Sequence, residues 1–450
     1  MRHEFLIFTI STLLIQFISC DTNFNVKGVS VSGELNTLMH VHVVWRHGDR
    51  SPSILIPTDK ENGIETWADG LGEITRKGLQ QQYALGRLIR ARYDGFLSKH
   101  YSPFEVYIRS SDFNRTLASA QANLAGMFPP DKSEQFVEGL NWRPIPVHTM
   151  PKHEDKVSGF MEICDICIQE LYDRAACPHA DSEEDMVYNS NEIRKVEDDS
   201  RELLTFLGMK SGYTNNTPMR LREMWKLFDP LWAEFCHSED HQLPSWVNET
   251  IRKQIFELYH FSSSHLYGSP LLKRLRAGPL FGEIVNRIKS YSIGRVDPRE
   301  KLYVYSAHDT AVAAVLAGFD ITPTMFPEYA TAIFVELHNT TDGYIVQIFY
   351  KNDTNSNDIY ELKLPRCSSP CRVDELIHAS INVLPTNWSE ECGLYQVVFP
   401  HFYFYLIFAA MVSVIVMIAT IVRAHRYRVM CVQNRSPNYK LLVENGDIEF

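Results

Sequence analysis

The sequence predicts an α/β protein with a doubly wound, largely parallel sheet and an inserted, mostly helical domain. Three times, at about residues 41–50, 105–115 and 301–310, an apolar strand pattern is followed by a polar turn and a helix pattern. Between about residues 146 and 265, strand patterns vanish and amphipathic segments replace them. Because strands that alternate with helices form parallel sheets, the polar turns should meet at the carboxyl edge of the sheet.

The first strand pattern is the β-branched run at residues 41–45, which ends in the motif Arg46-His47-Gly48-Asp49-Arg50-Ser51-Pro52. The five fixed residues of the pattern Arg-His-Gly-x-Arg-x-Pro should occur together by chance in about one chain in ten thousand of this length. A loop rich in proline and glycine follows as far as Thr75, which is a suitable N-cap for the next helix. The motif is therefore the strongest functional signal in the sequence.

The second and third strand patterns end in similar polar turns. Residues 105–108 lead into a turn in which Asp112 is the predicted N-cap of a helix, so Arg115 should lie in the first turn of that helix. Residues 301–305 lead into Ser306-Ala307-His308-Asp309-Thr310, and Gly318 suits the C-terminal cap of the helix that follows. These turns should lie beside the first motif.

The remaining patterns define the predicted domain boundaries. Residues 36–145 form the first part of the α/β domain, residues 146–265 the helical domain, and residues 266–395 the second part of the α/β domain. Residues 332–337 and 344–350 are predicted as late strands that pair with each other.

The charge of the chain limits its partners. The 450 residues carry a formal net charge of −11, whereas nucleic-acid binding would require a basic face. We therefore expect no nucleic-acid partner, and any anion-binding site must be a local basic pocket in an acidic protein.

Both ends of the chain carry membrane signals. Residues 1–20 are predicted as a signal peptide, because Arg2 and His3 precede a short apolar stretch; a retained signal anchor is the alternative. Residues 402–422 contain no charged residue and, at about 1.5 Å per residue, match the roughly 30 Å of a bilayer core. Arg423 and further basic residues follow, which places the tail (423–450) in the cytosol and the body outside it.

Sequons and cysteines agree with a lumenal or extracellular body. Glycosylation sequons begin at Asn215, Asn248, Asn339, Asn352 and Asn387. Disulfides are expected in that compartment, and the body contains an odd number of cysteines, so at least one is unpaired or bound elsewhere. These cysteines are Cys164, Cys167, Cys177, Cys236, Cys367, Cys371 and Cys392.

Together the three turns supply the groups needed for phosphoryl transfer to an imidazole. His47 can attack phosphorus only as a neutral ring with one nitrogen free, so the other nitrogen should donate to a backbone carbonyl. The phosphoryl oxygens would be bound by the cationic groups of Arg46, Arg50 and Arg115, with His308 as a further donor. Asp309 would give its proton to the leaving alcohol and later activate water.

A metal site is the alternative use of these residues. His47, Asp49, His308 and Asp309 are possible ligands, but they lack close ligand spacing, and the three arginines would repel a cation. We therefore expect neither a metal nor a cofactor.

Several ordered segments resemble the histidine acid phosphatase family, in its membrane-anchored lysosomal and prostatic branch. Besides the first motif, the matching segments include Tyr107-Ile108-Arg109-Ser110, Asp112-Phe113-x-Arg115-Thr116-Leu117 and Tyr305-Ser306-Ala307-His308-Asp309-Thr310. The resemblance covers about residues 36–395. It implies the histidine phosphatase fold and hydrolysis of small phosphate monoesters, with His47 as the phosphorylated nucleophile, Asp309 as the proton donor, and Arg46, Arg50, Arg115 and His308 as phosphate ligands.

The resemblance also implies a location and an assembly. It suggests a single-pass type I protein of the lysosomal or plasma membrane, with a homodimer as a possible assembly. Narrower phosphomonoesterases, such as a phytase or a lysophosphatidate phosphatase, remain alternatives, as does a membrane receptor that reuses the fold. A receptor should have lost His47, an arginine or Asp309, and none is lost.

The chain departs from the family in two respects. Asn114 replaces the usual aspartate and creates a sequon, which we expect to be unmodified because a glycan there would block the pocket. The resemblance implies disulfides Cys164–Cys392 and Cys367–Cys371. It leaves Cys236 unpaired, because Ala332 occupies the usual partner position, and it makes Cys167 and Cys177 additional cysteines.

Overall fold

The computed structural model describes residues 35–150, 175–322, 325–394 and 398–433. The strands of the described chain are β1 (Leu38–Arg46), β2 (Val106–Ser110), β3 (His148–Thr149), β4 (Leu302–Ala307), β5 (Ala332–Thr340), β6 (Gly343–Lys351), β7 (Tyr360–Leu362) and β8 (Cys371–Arg372). The predicted signal peptide, Cys164, Cys167 and the end of the predicted tail lie outside the described residues.

Helices connect and cover these strands. They are α1 (Arg76–Arg92), α2 (Asn114–Met127), α3 (Pro178–Tyr188), α4 (Asn191–Asp199), α5 (Arg201–Ser211), α6 (Trp225–Cys236), α7 (Glu249–Ser264), α8 (Pro270–Leu272), α9 (Gly278–Ser292), α10 (Asp309–Gly318), α11 (Val373–Ser380), α12 (Trp388–Glu391) and α13 (Val398–Gln433).

The strands form one mixed sheet in the order β3-β2-β4-β1-β5-β6-β7, with β8 paired to β6. Strands β3, β2, β4 and β1 are parallel, whereas β5, β6, β7 and β8 continue the sheet in antiparallel pairs. The predicted pairing of the two late strands is confirmed by the β5–β6 register. Strand β3 extends the sheet at residues 148–149, inside the range predicted to be helical.

Helices cover both faces of the sheet, as the predicted doubly wound fold requires. On one face, Val43 and Trp45 of β1 pack with Leu85 and Leu88 of α1 and with residues of α2. On the other face, Val44 packs with α9 and α10. This alternation along β1 follows from the two-residue period of a strand that is buried on both sides.

The segment between β3 and β4 builds its own apolar cluster. Side chains from α3 to α7 form this cluster, among them Tyr188, Leu207, Leu227 and Leu258. These helices lie within residues 146–265, whereas the exact limits of the helical domain stay a prediction. The described residues up to Cys392 form one compact unit, and those from Gly393 form a second.

Of the three predicted helix caps, one is confirmed and two differ from the structure. Thr75 caps α1 as expected and accepts from the Gly78 amide. Asp112 is not the N-cap of α2: the cap is Phe113, without a side-chain hydrogen bond. Gly318 is the last residue of α10 and not its cap. A Cβ there would lie 2.5 Å from Phe281, so a close helix contact explains this glycine.

In the second unit, the segment Tyr403–Met430 of α13 has 28 residues, contains an 18-residue window with a mean hydropathy of 2.7, and has exposed side chains. By length and composition it suffices to cross a membrane.

Candidate active site

The parallel strands bring the three predicted turns together at one edge of the sheet. Arg46 at the end of β1 pairs with Ala307 at the end of β4, and Ser110 of β2 pairs with Ser306. The amide of His47 donates to the Ala307 carbonyl at 2.9 Å, which fixes the first motif against the third turn. The carboxyl ends of β1, β2 and β4 therefore form the floor of the candidate site.

His47 is positioned as a neutral nucleophile would be. Its side chain is buried, and its Nδ1 lies 2.8 Å from the Gly48 carbonyl oxygen, to which it donates. This contact leaves Nε2 as the nitrogen available for attack. Burial, followed by the charges of Arg115 and Arg46, holds the pKa of His47 well below its ordinary value. Burial and these positive charges therefore favour the neutral imidazole.

Gly48 allows α1 to approach the nucleophile closely. A Cβ at Gly48 would lie 2.2 Å from the Gly78 carbonyl oxygen, so no larger residue fits there without a backbone shift. The Gly48 amide donates to Ser119 Oγ of α2 at 3.1 Å. The glycine of the motif thus joins the nucleophile to the first turn of α1 and the second turn of α2.

Arg46 is held from several sides. Its Nη1 donates to the Pro327 carbonyl at 2.7 Å, its Nη2 lies 3.1 Å from Asp309 Oδ2, and its guanidinium carbon is 4.2 Å from the centre of the Tyr329 ring. Nε has no hydrogen-bond partner among the described residues. These contacts fix the orientation of the guanidinium plane.

Arg50 is paired with a carboxylate from the helical segment. Its Nη2 donates to Asp229 Oδ1 at 2.5 Å, and Asp229 Oδ2 accepts from the Ser53 amide at 2.6 Å. Burial opposes the charged form of Arg50, but the charge and hydrogen bond of Asp229, together with Tyr329 and the charge of Asp309, exceed the effect of burial and raise the pKa of Arg50. Arg50 is therefore a permanent cation that α6 holds in place.

Arg115 lies in the first turn of α2, as predicted, and is the least constrained of the three arginines. Its Nη1 lies 3.4 Å from the Gly72 carbonyl oxygen, its guanidinium carbon is 4.6 Å from the centre of the Phe113 ring, and Nε has no partner within the described chain. Burial, and then the charge of Arg50, lower the pKa of Arg115 to about 10. It remains cationic in neutral and acidic solution.

His308 and Asp309 complete the edge. His308 Nε2 lies 2.9 Å from Ser111 Oγ, and its ring meets that of His47 edge-on at 5.6 Å. Asp309 begins α10, where its Oδ1 accepts from the Thr310 amide at 2.8 Å. The structure thus brings all six predicted site residues to one place.

Asp49 does not take part in a four-ligand metal set with His47, His308 and Asp309. Its Oδ2 lies 2.6 Å from His237 Nε2 and 2.5 Å from Thr75 Oγ1. The Asp49 carboxylate is therefore bonded to His237 and Thr75 and is not available as a fourth ligand beside His47, His308 and Asp309.

Sequence reasoning missed the contributions of Asp229, His237 and Tyr329. Asp229 and His237 lie on and just after α6, in a segment whose amphipathic pattern reports only its packing. The motif itself offered one indication of these partners. Asp49 and Arg50 are both buried, and a buried charged group requires a partner of opposite charge.

The disulfides correct two expectations. Cys392 is bonded to Cys177, with a Cα–Cα distance of 4.6 Å, so the expected Cys164–Cys392 pair is wrong. Cys177 caps α3, and the start of this helix contacts Cys392 directly, where the His179 amide donates to its carbonyl. Cys236 was expected to be unpaired, but it is disulfide-bonded. The Cys367–Cys371 bond is confirmed.

Comparison with known proteins agrees with this geometry. Residues 37–351 match the family described as histidine phosphatase superfamily (branch 2). A putative acid phosphatase 5 of Caenorhabditis elegans is 37% identical over 82% of this chain and 82% of its own length. Human prostatic acid phosphatase is 36% identical over 79% of this chain and 88% of its own, and human lysosomal acid phosphatase is 32% identical over 80% and 81%.

Solved structures give the same fold. The phytase of Hafnia alvei in complex with myo-inositol hexakis sulphate superposes with a TM-score of 0.59, covering 79% of this chain and 98% of that one, at 16% identity. At this identity the likeness concerns the fold alone. The family match and the identity over most of the length of these relatives establish that the chain belongs to branch 2 of the histidine phosphatase superfamily.

Proposed function

We propose that the protein is an acid phosphatase that hydrolyses phosphate monoesters through a phosphohistidine at His47. The observation that supports this most directly is the state of His47. It is a neutral, buried ring whose Nδ1 is bonded to the Gly48 carbonyl, and it lies among three arginines. Family membership and the named acid phosphatase relatives support the same activity.

In the first step, His47 Nε2 forms a bond to phosphorus as the ester P–O bond breaks. Asp309 gives its proton to the leaving alcohol oxygen. In the second step, the Asp309 carboxylate takes a proton from water, the water oxygen forms the new P–O bond, and the P–N bond breaks. Free imidazole and inorganic phosphate result, and no metal or cofactor enters either step.

The charges of the site suit a phosphate monoester dianion. With Asp309 protonated, the cations Arg46, Arg50 and Arg115 together with the Asp229 carboxylate leave two net positive charges. This equals the charge of the dianion in magnitude. Asp309 gives its proton to the leaving alcohol, so the net charge falls at the phosphohistidine stage and is restored when Asp309 takes a proton from water.

The exposure of the sequon asparagines supports glycosylation of the body. The asparagines of the five sequons predicted in the body are exposed: Asn215, Asn248, Asn339, Asn352 and Asn387. Asn114 is exposed as well, but it lies next to Arg115 in the first turn of α2, at the candidate site, where a glycan would block the pocket. We therefore expect the first five to carry glycans and Asn114 to carry none.

We also infer a type I membrane topology, with α13 as the anchor and the catalytic body in the lumen or outside the cell. The apolar segment Tyr403–Met430 and the basic residues that begin at Arg423 support this orientation. Lysosomal and plasma membranes are both compatible with it. Protection of a C-terminal tag from protease in sealed vesicles, together with endoglycosidase sensitivity of the body, would test the orientation.

The activity is tested with the full chain in detergent. Hydrolysis of an aryl phosphate and of a panel of alkyl monoesters is measured from pH 4 to pH 8, with His47→Ala as the inactive variant. His378→Ala is the matched control, because His378 is exposed on α11. We expect activity in acid that EDTA leaves intact, that is lost in His47→Ala and that is kept in His378→Ala. Activity confined to inositol or lysophospholipid phosphates would instead identify a narrower enzyme, and no hydrolysis at all would favour a receptor.

A further inference from the structure

Helix α6 contacts the loop that carries the first motif, residues 46–52, at two points that carry opposite charges. We call this segment the signature loop. Near its start, Asp229 binds Arg50 and the Ser53 amide. Just after its end, His237 binds Asp49 with 2.6 Å between Nε2 and Oδ2. Two neighbouring loop residues are thus held by one helix from a different part of the chain.

Asp49 is the point through which the second contact acts. Its side chain is fully buried, its amide donates to Gln81 Oε1 at 2.7 Å, and its carbonyl oxygen accepts from the Thr75 amide at 3.0 Å. Asp49 Oδ1 has no hydrogen-bond partner within the described ranges. Oδ2 also accepts from Thr75 Oγ1 at 2.5 Å, but a neutral hydroxyl compensates a buried charge less than a cation does, so the carboxylate depends strongly on His237. Since Asp49 lies between His47 and Arg50, any shift of its backbone moves both.

His237 is suited to hold this carboxylate in a proton-dependent way. Its ring packs edge-on against Trp67, with 5.5 Å between ring centres, and next to His241 at 6.4 Å. Burial opposes its charged form, but the hydrogen bond to Asp49 and the charge of that carboxylate together exceed the effect of burial and raise the pKa of His237. Among its other neighbours, Lys77 opposes the charge and Glu239 favours it.

We propose that His237 is a positioning residue, whose doubly protonated ring holds Asp49 and thereby keeps His47 and Arg50 in the geometry needed for phosphoryl transfer. This inference rests on the proposed phosphatase function. The neutral ring could also donate a hydrogen bond to the Asp49 carboxylate, but the positive charge of the doubly protonated ring adds Coulomb attraction to that bond. The contact therefore holds the loop best in acid, and it weakens as the pH rises and the ring loses its proton. The acid preference of the enzyme then has two sources, the Asp309 proton and the His237 charge.

The test compares kcat/KM of the full-length protein and of His237→Gln from pH 5 to pH 8, with an activated aryl phosphate as substrate. Glutamine can still donate a hydrogen bond but cannot become charged. We expect the variant to lose about tenfold at pH 5 and at most about twofold at pH 8, because a loosened loop misplaces the reacting groups. Inhibition by inorganic phosphate should weaken with the same pH dependence, since Arg50 moves with the loop.

His241→Gln is the matched control. His241 stacks on the same Trp67 ring at 3.9 Å but bonds Asn62 and not the signature loop. Its substitution should change kcat/KM by the same factor at every pH. Asp49→Asn should reproduce the pH-dependent loss, and the double variant His237→Gln/Asp49→Asn should lose little more than either single variant.

The outcomes separate this inference from the phosphatase function. Wild-type activity that depends on His47 upholds the function whatever His237 does. A loss in His237→Gln that is equal at all pH values, or a control with the same pH profile, would overturn the positioning role. If His237→Gln does not fold, Asp49→Asn decides the matter: a pH-independent effect in that variant rejects the proposal.

Discussion

The buried carboxyl group of Glu234 should make the protein more stable in acid than at neutral pH. Glu234 lies on α6 with 1% of its surface exposed, and its Oε2 has no hydrogen-bond partner among the described residues. Burial, and then the nearby charge of Asp59, raise the pKa of Glu234 from 4.5 to about 8. The folded protein therefore keeps this group protonated under conditions in which the unfolded chain ionises it.

The sign and the size of the effect follow from this difference. A raised pKa contributes stability that is fully present below the unfolded value and is lost as the pH rises towards the folded value. Between 4.5 and about 8, each pH unit costs about 1.4 kcal/mol, so the cost is about 3 kcal/mol at pH 7 and about 1 kcal/mol at pH 5. Glu234→Gln has nearly the shape of the protonated acid and removes this cost.

The assay is urea unfolding of the full chain in detergent, followed by tryptophan fluorescence at pH 5 and pH 7. We expect Glu234→Gln to raise the free energy of unfolding by about 3 kcal/mol at pH 7 and by no more than about 1 kcal/mol at pH 5. Glu257→Gln, at an exposed site on α7, should change it by only a few tenths of a kcal/mol at either pH. An equal change at both pH values in Glu234→Gln would refute the reasoning.

Other substitutions test the site and the disulfides. Asp309→Asn should slow the hydrolysis of alkyl phosphates more than that of activated aryl phosphates, if phosphorylation limits the rate; equal losses would exclude a proton donor. Gly48→Ala should lower kcat/KM by about 100-fold, because its Cβ meets the Gly78 carbonyl, whereas Gly63→Ala meets only the flexible Glu65 side chain and should be tolerated. Peptide mapping without reduction should recover Cys177 linked to Cys392, and Cys177→Ser should cost roughly 2–5 kcal/mol; a Cys164–Cys392 peptide would contradict the assignment.

Local patterns predicted the part of the site that the chain builds from neighbouring residues. Each strand, turn and helix unit is short, and parallel pairing of β1, β2 and β4 brings their ends together without further information. His47, Arg115 and Asp309 could therefore be placed at one edge from the sequence. The antiparallel half of the sheet follows from the β5–β6 hairpin, which the late strand patterns also indicated.

The contacts that the sequence did not predict join distant parts of the chain. Asp229 lies 179 residues from Arg50, His237 lies 188 residues from Asp49, and Cys177 lies 215 residues from Cys392. Each depends on the path by which the helical segment returns to the sheet, and no local periodicity records that path. The resemblance to the family gave the wrong partner for Cys392 for the same reason. Cys177, which is additional to the family pattern, lies close enough to Cys392 to form the bond that was expected for Cys164.

The most direct test of the central claim is the chemistry of the phosphoenzyme. Full-length protein is mixed with a ³²P-labelled aryl phosphate, quenched by denaturation, and its labelled peptides are sequenced by mass spectrometry. We predict a label on His47 that is lost in acid and stable in alkali, as a phosphoramidate is, and that is absent from His47→Ala. A label that is stable in acid and lost in alkali, or one on any other residue, would contradict nucleophilic attack by His47.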